Sequence, residues 1–165
     1  MPNKFSPLLL LQAYPVKRIE NSHKMKTFAI IAFCIVACSA GVVEHQPCGG
    51  AGEVREVRIE NCQGPIAHMV VGTAYPSEAD IIPAEAAAEL RLKISTVFMG
   101  QTVVIIDSTL PNSSVVPGSQ YTIRWSITPS SLLVGNTAPV SAEVFNEATQ
   151  ALMLCGRVTV SVTAA

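Results

Sequence analysis

The chain has 165 residues, a length for one domain, and only 14% of them are charged, well under the quarter or so usual in soluble domains. From Gly41 onward, eleven acidic side chains stand against six basic ones, a net charge of −5. With no basic cluster among them, these residues carry no electrostatic footprint for nucleic acid or anionic lipid.

In chain order, Pro7 to Leu11 is apolar but brief and Tyr14 to Lys24 is polar and basic. Residues 1–24 are read as an upstream extension without a structural role. Met25-Lys-Thr is a short positive segment, Phe28 to Cys38 an apolar run of eleven, and Ser39-Ala40-Gly41 a group of small residues. That is the layout of a secretory signal peptide over 25–41. As a helix the run spans roughly 16 Å, about half the hydrocarbon core of a bilayer, too short for an anchor. One domain over 42–165 is expected to remain. Its cysteines are Cys48, Cys62 and Cys155, and a secreted context permits a disulfide among them.

Beyond the signal the dominant pattern has period two. In Glu53 to Asn61, Val57 and Ile59 alternate with Glu56, Arg58 and Glu60, while Val54 falls out of phase and suggests a bulge. Leu90, Leu92 and Ile94 alternate with polar neighbours, as do Tyr121, Ile123, Trp125 and Ile127, and later Val158, Val160 and Val162. Each run predicts a strand with one apolar face. Gln101 to Asp107, after a turn at Met99-Gly100, and Val140 to Phe145 add two more. Gly64-Pro65, Tyr75-Pro76, Leu110 to Ser114, Pro117-Gly118, Thr128 to Ser131 and Gly135-Asn136 carry turn chemistry. Pro83 to Glu89 offers at most a turn of helix. Six to eight strands at this spacing predict an all-β, immunoglobulin-like two-sheet β-sandwich.

Catalytic chemistry is missing. His45 falls in an N-terminal arm expected to fray, and His68 lies among apolar residues; neither has a nucleophile and an orienting group beside it in sequence. Gly49-Gly-Ala-Gly52 precedes a strand and lacks a Lys-Ser/Thr ending, so it is a flexible turn and not a phosphate loop. No Cys, His or carboxylate cluster has metal-ligand spacing, and Glu78 and Asp80 are expected on a solvated loop. We therefore expect no enzyme, no metal and no cofactor. Asn112-Ser-Ser114 is an acceptor motif for N-glycosylation in a loop.

The order of features resembles the MD-2-related lipid-recognition (ML) family, above all the secreted Niemann–Pick type C2-like sterol carriers and the group 2 mite allergens. The features are Cys48-Gly after the signal, a strand ending at Asn61-Cys62, and strands through Met99-Gly100. Pro117-Gly-Ser-Gln-Tyr121 then leads into a Tyr-x-Ile-x-Trp strand, and a last strand begins at Leu154-Cys155. The resemblance covers about 44–163. It implies a sandwich whose sheets splay around an internal apolar pocket for a sterol, fatty acid or similar lipid. Its pocket walls map onto Val57, Ile59, Leu92, Ile94, Val103, Ile105, Tyr121, Ile123, Trp125, Leu133, Phe145, Val158 and Val160. The mouth is implied after Met99-Gly100 and at Leu132-Leu133.

The resemblance also implies a Cys48–Cys155 disulfide, which leaves Cys62 a free thiol because the cysteine expected near Ala67 is absent. A second tight disulfide loop, at about 107–117, has no cysteines here, leaving a loop expected beside the mouth less constrained. The implied function is secreted lipid transfer by a monomer, extracellular or lysosomal, without stable membrane insertion but with a lipid-accepting membrane protein as partner. The alternative is an immunoglobulin-like interaction module that recognises a partner protein or microbial lipid in innate defence.

Overall fold

Alternation in the sequence becomes alternation of burial in the computed structural model, which describes residues 40–165. The expectations for the upstream extension and for the apolar run of the signal lie outside the described residues. Strand β3 (Glu53–Glu60) buries Val57 and Ile59, and β6 (Leu90–Phe98) buries Leu90, Leu92 and Ile94. Strand β8 (Tyr121–Ile127) buries Ile123 and Ile127, and β10 (Leu152–Thr163) buries Val160 and Val162. The bulge expected at Val54 is present as a register shift between Val54 and Glu56.

The remaining strands are β1 (Ala40–Val43), β2 (His45–Gly50), β4 (Ile66–Val70), β5 (Tyr75–Ile82), β7 (Gln101–Leu110) and β9 (Thr137–Asn146). One sheet has the order β1-β3-β5-β8; the other runs β2-β10-β9-β6-β7, with β4 also pairing β10. Both are antiparallel except for the β4–β10 pair. Strand β10 is long enough to take β2 along Leu154–Val158 and β4 along Thr159–Thr163. The protein is an all-β, immunoglobulin-like two-sheet sandwich.

Three expectations need correction. The N-terminal arm does not fray: β1 joins the first sheet and β2 the second, so the chain changes sheets at Glu44. Gly49 to Gly52 is not a loose turn but the packed return to the first sheet. Gly50 has φ +80°, and a Cβ there would lie 2.4 Å from the Met153 carbonyl, so only glycine fits. Tyr75-Pro76 is not a turn; it begins β5, whose pairing with β3 stops at Glu78. A proline is tolerated where no ladder bond is required of its nitrogen. Pro83 to Glu89 forms no helix, within the expectation of at most one turn; Ala87 bridges Val115, and the exchange of backbone bonds between them fixes both loops.

The Cys48–Cys155 disulfide joins β2 to β10, with Cα atoms 4.9 Å apart and a sequence separation of 107. Both strands belong to one sheet, so the covalent tie lies within a sheet and not across the sandwich. Ion pairs cover the outer faces. Arg58 on β3 bonds Glu56, Glu78 at 2.6 Å and Asp80 at 2.8 and 3.0 Å, and Thr122 on β8 donates to Asp80 at 2.6 Å. These bonds, Arg58 first, hold the Asp80 carboxyl down at about 2.

Two outcomes follow. Replacing Cys48 and Cys155 together by serine should cost up to about 4–5 kcal/mol in urea unfolding, because the closed loop is long. Asp80 has its pKa depressed on folding, so its stabilising contribution is whole above the ordinary carboxylate pKa of about 3.9 and fades as pH falls through about 2. Arg58→Met should therefore destabilise by about 1–2 kcal/mol at pH 7. The deficit against wild type should shrink between pH 4 and pH 2.

Candidate functional site

The inward faces of the two sheets meet across a narrow apolar gap. The first sheet supplies Val57 and Ile59 from β3, Ala79 and Ile81 from β5, and Ile123, Trp125 and Ile127 from β8. The second supplies Leu92 and Ile94 from β6, Val140, Ala142 and Val144 from β9, and Val158 and Val160 from β10. The gap holds about 40 Å³ of free volume, room for no more than a few waters.

At one end the gap meets a second compartment of about 260 Å³. Met69, Ile127, Val140 and Val160 line both spaces, and no charged side chain lines either. The outer wall of this mouth is Phe98 from β6, Val103, Val104 and Ile105 from β7, and the segment 128–133. Its rim is apolar and solvated: Val104 is 50% exposed, Leu132 74% and Met99 88%.

Local sequence chemistry builds this rim. Met99 and Gly100 have φ +49° and +78° and close a two-residue hairpin between Phe98 and Gln101, the conformation that suits the twist of the flanking strands. A 3-10 turn over Ser131–Leu133 follows Pro129 and leaves Leu132 exposed with Leu133 half-buried. The Gly135 amide bonds the Val162 carbonyl at 2.8 Å and the Gly72 amide bonds the Pro129 carbonyl at 3.0 Å, anchoring the segment beside β10 and β4.

Of the expected wall residues, Val57, Ile59, Leu92, Ile94, Ile123, Trp125, Val158 and Val160 line the gap, and Val103, Ile105 and Leu133 line the mouth. Two do not join them. Phe145 follows Val144 by one residue, so the strand's alternation turns it to the opposite face, where it pairs in register with Arg91 and Leu152. Tyr121 packs at the far end, its hydroxyl accepting the Val116 amide at 3.0 Å. The loop after β7, expected beside the mouth, also lies at that far end, since Leu110 pairs with Leu90.

Sequence reasoning missed Met69, Ala79, Ile81 and Leu154 in the gap. Ala79 and Ile81 alternate with Glu78 and Asp80, a strand signal hidden by Tyr75-Pro76. Those two carboxylates lie not on a loop but on the outer face of β5, bonded to Arg58.

The interior is nearly free of polar groups. The Trp125 indole nitrogen is buried without a hydrogen-bond partner among the described residues. Its cross-strand neighbour Ser77 is also buried and spends its hydroxyl on the Tyr75 carbonyl at 3.0 Å. Cys62 is a free, buried thiol 3.4 Å from the His68 carbonyl, and burial raises its pKa. His68 itself is exposed; His45 is half-buried, its Nε2 3.0 Å from the Val54 carbonyl. Asn112 is exposed on the loop after β7. Among the described residues no three His, Cys, Asp or Glu side chains gather as metal ligands could.

No protein-family model matches the chain, and no curated protein matches its sequence. Among solved structures it is similar to a Niemann-Pick type C2 protein from Japanese carpenter ant. The TM-score is 0.58 at 10% identity, over 73% of this chain and 99% of that one. The fold is shared. The chain is also similar to the C-terminal domain of wzt, with a TM-score of 0.52 at 10% identity over 74% of this chain and 78% of that one. A third similar structure is chicken MD-1 complexed with lipid IVa, with a TM-score of 0.49 at 16% identity over 70% and 85% of the two chains.

A buried thiol with a raised pKa reacts only when the fold opens. In an iodoacetamide pulse at pH 8, the Cys62 peptide should be alkylated at least about tenfold more slowly in native protein than in urea, read by mass mapping.

Proposed function

We propose that the protein is a secreted lipid carrier of the ML type, taking an apolar ligand such as a sterol or fatty acid between its two sheets. One observation carries this reading: a gap walled by apolar side chains of both sheets runs into a solvent-facing apolar mouth with no charged residue in its lining. A carrier of this kind needs no catalytic group. A sterol of roughly 28 heavy atoms, at about −0.3 kcal/mol per atom, would bind with about −8 kcal/mol, near micromolar.

Ligand sites commonly occupy about 300–1,000 Å³, so the 40 Å³ gap must widen as ligand enters. The fold leaves it free to do so. The disulfide lies within one sheet. Polar ties between the sheets include His45 to the Val54 carbonyl and the Val70 amide to the Tyr75 hydroxyl at 2.7 Å, both from the β2–β4 side. The β7 and β8 edges that bound one side of the mouth share no ladder, while on its β4 side Met69 lines it and the Gly72 amide bonds the Pro129 carbonyl. Opening between the β7 and β8 edges costs chiefly apolar contact, which the ligand restores. On this reading the protein is a monomer that delivers its ligand to a membrane protein, outside the cell or in the lysosome.

The narrowness of the gap favours a second reading, an immunoglobulin-like interaction module with a filled core. Titration with a fluorescent sterol and a fluorescent fatty acid separates the two. The carrier should show saturable micromolar uptake of at least one. Val160→Phe, which fills the junction of gap and mouth, should weaken that uptake about tenfold or more. No uptake by a protein whose circular dichroism shows an intact β fold would favour the module.

A further inference from the structure

Trp125 is the chain's one tryptophan, and its indole N–H is the strongest hydrogen-bond donor on any side chain lining the gap. Every other lining residue there is aliphatic, glycine or methionine. That N–H is buried and has no hydrogen-bond partner among the described residues, and leaving such a donor unpaired is unfavourable. A resident water is a poor remedy, because a buried water needs two to four polar partners and these walls offer little besides the indole. The Ser77 hydroxyl across the strand pair is already turned to the Tyr75 carbonyl.

The position matters as much as the chemistry. Ile127, two residues further along β8, lines both gap and mouth, whereas Trp125 lines only the gap of the two. The indole therefore sits about 7 Å along the strand from Ile127, and past Thr128 and Ser130 at the mouth it belongs to the one side chain with a hydrogen-bond donor in the gap lining. No cation lines either space. Arg58 and Arg124 border Trp125 in a depression on the outer face of the sheet, where both are paired with Glu78. A carboxylate brought to the indole through the gap would be buried with both of those arginines already paired to Glu78, an unfavourable burial. A neutral oxygen acceptor would not incur that cost.

We propose that Trp125 is a specificity-determining residue whose indole N–H donates to a neutral oxygen acceptor, the carbonyl or hydroxyl of an otherwise apolar ligand. This rests on the carrier reading and narrows it. The ligand class becomes uncharged lipids with a single oxygen function near the mouth end, such as long-chain ketones, alcohols or sterols. Ionised fatty acids, if bound, would keep their heads in water and leave the indole unpaired.

The test uses the full chain, labelled with ¹⁵N, and three probes of equal chain length: a long-chain methyl ketone, the matching alkane and the matching carboxylate. A single indole cross-peak is available. The ketone should move its proton downfield, while the alkane and the carboxylate should not. In competition against a fluorescent lipid, Trp125→Phe should weaken the ketone roughly 3- to 10-fold more than it weakens the alkane. A ketone that binds without moving the indole proton, or a loss from Trp125→Phe equal for ketone and alkane, overturns the inference while leaving the carrier reading intact. Failure of all three probes to bind overturns both. The indole shift is read on wild-type protein and so does not depend on the folding of the variant.

Discussion

The two sheets touch through aliphatic and aromatic side chains, and in the middle of the sandwich through nothing else. Everything distinctive about this protein depends on that contact. Burial of apolar surface holds the sheets together at roughly 25 cal/mol per Å², yet it is non-directional, so it fixes their closeness without fixing their separation. Hydrogen-bond ladders and the disulfide, by contrast, operate within sheets. The result is two internally bonded sheets joined by a contact that, on the carrier reading, an apolar guest replaces with a chemically similar one.

The two ends of the sandwich are built differently. At the far end, Gly50 to Gly52 press against Met153 and Leu154 where the chain returns to the first sheet, and the Ala87–Val115 bridge fixes the neighbouring loops. At the mouth, a two-residue hairpin and a single 3-10 turn hold apolar side chains out in solvent. Exposed residues such as Leu132 and Met99 gain nothing from the fold of the monomer. On the proposed carrier reading, they border the path of an apolar ligand.

Much of this was legible in the sequence because strand alternation is a direct physical code. Leu92 and Ile94, or Val158 and Val160, could be assigned to an inward face from spacing alone. Phe145 was misplaced by the resemblance although the same spacing, counted from Val144, puts it outside. Strand β5 was hidden because a proline at its first turn and two carboxylates read as loop chemistry, and only the pairing with Arg58 explains why Glu78 and Asp80 belong on a strand. The N-terminal arm defeated sequence reasoning for another reason. Its two short strands have little pattern of their own and are set by partners far along the chain, β3 for one and β10 for the other. The width of the gap is likewise a property of side chains drawn from seven strands at once, which no local window contains.

The central question is whether the space between the sheets is ever occupied by lipid. The most direct measurement is mass spectrometry of the organic extract from protein purified after secretion by eukaryotic cells, quantified per mole of folded chain. A bound, uncharged lipid carrying one oxygen function, at close to one per chain, is the predicted result. An extract empty of lipid from protein that is folded, and that stays empty after incubation with sterols and long-chain ketones, would contradict it.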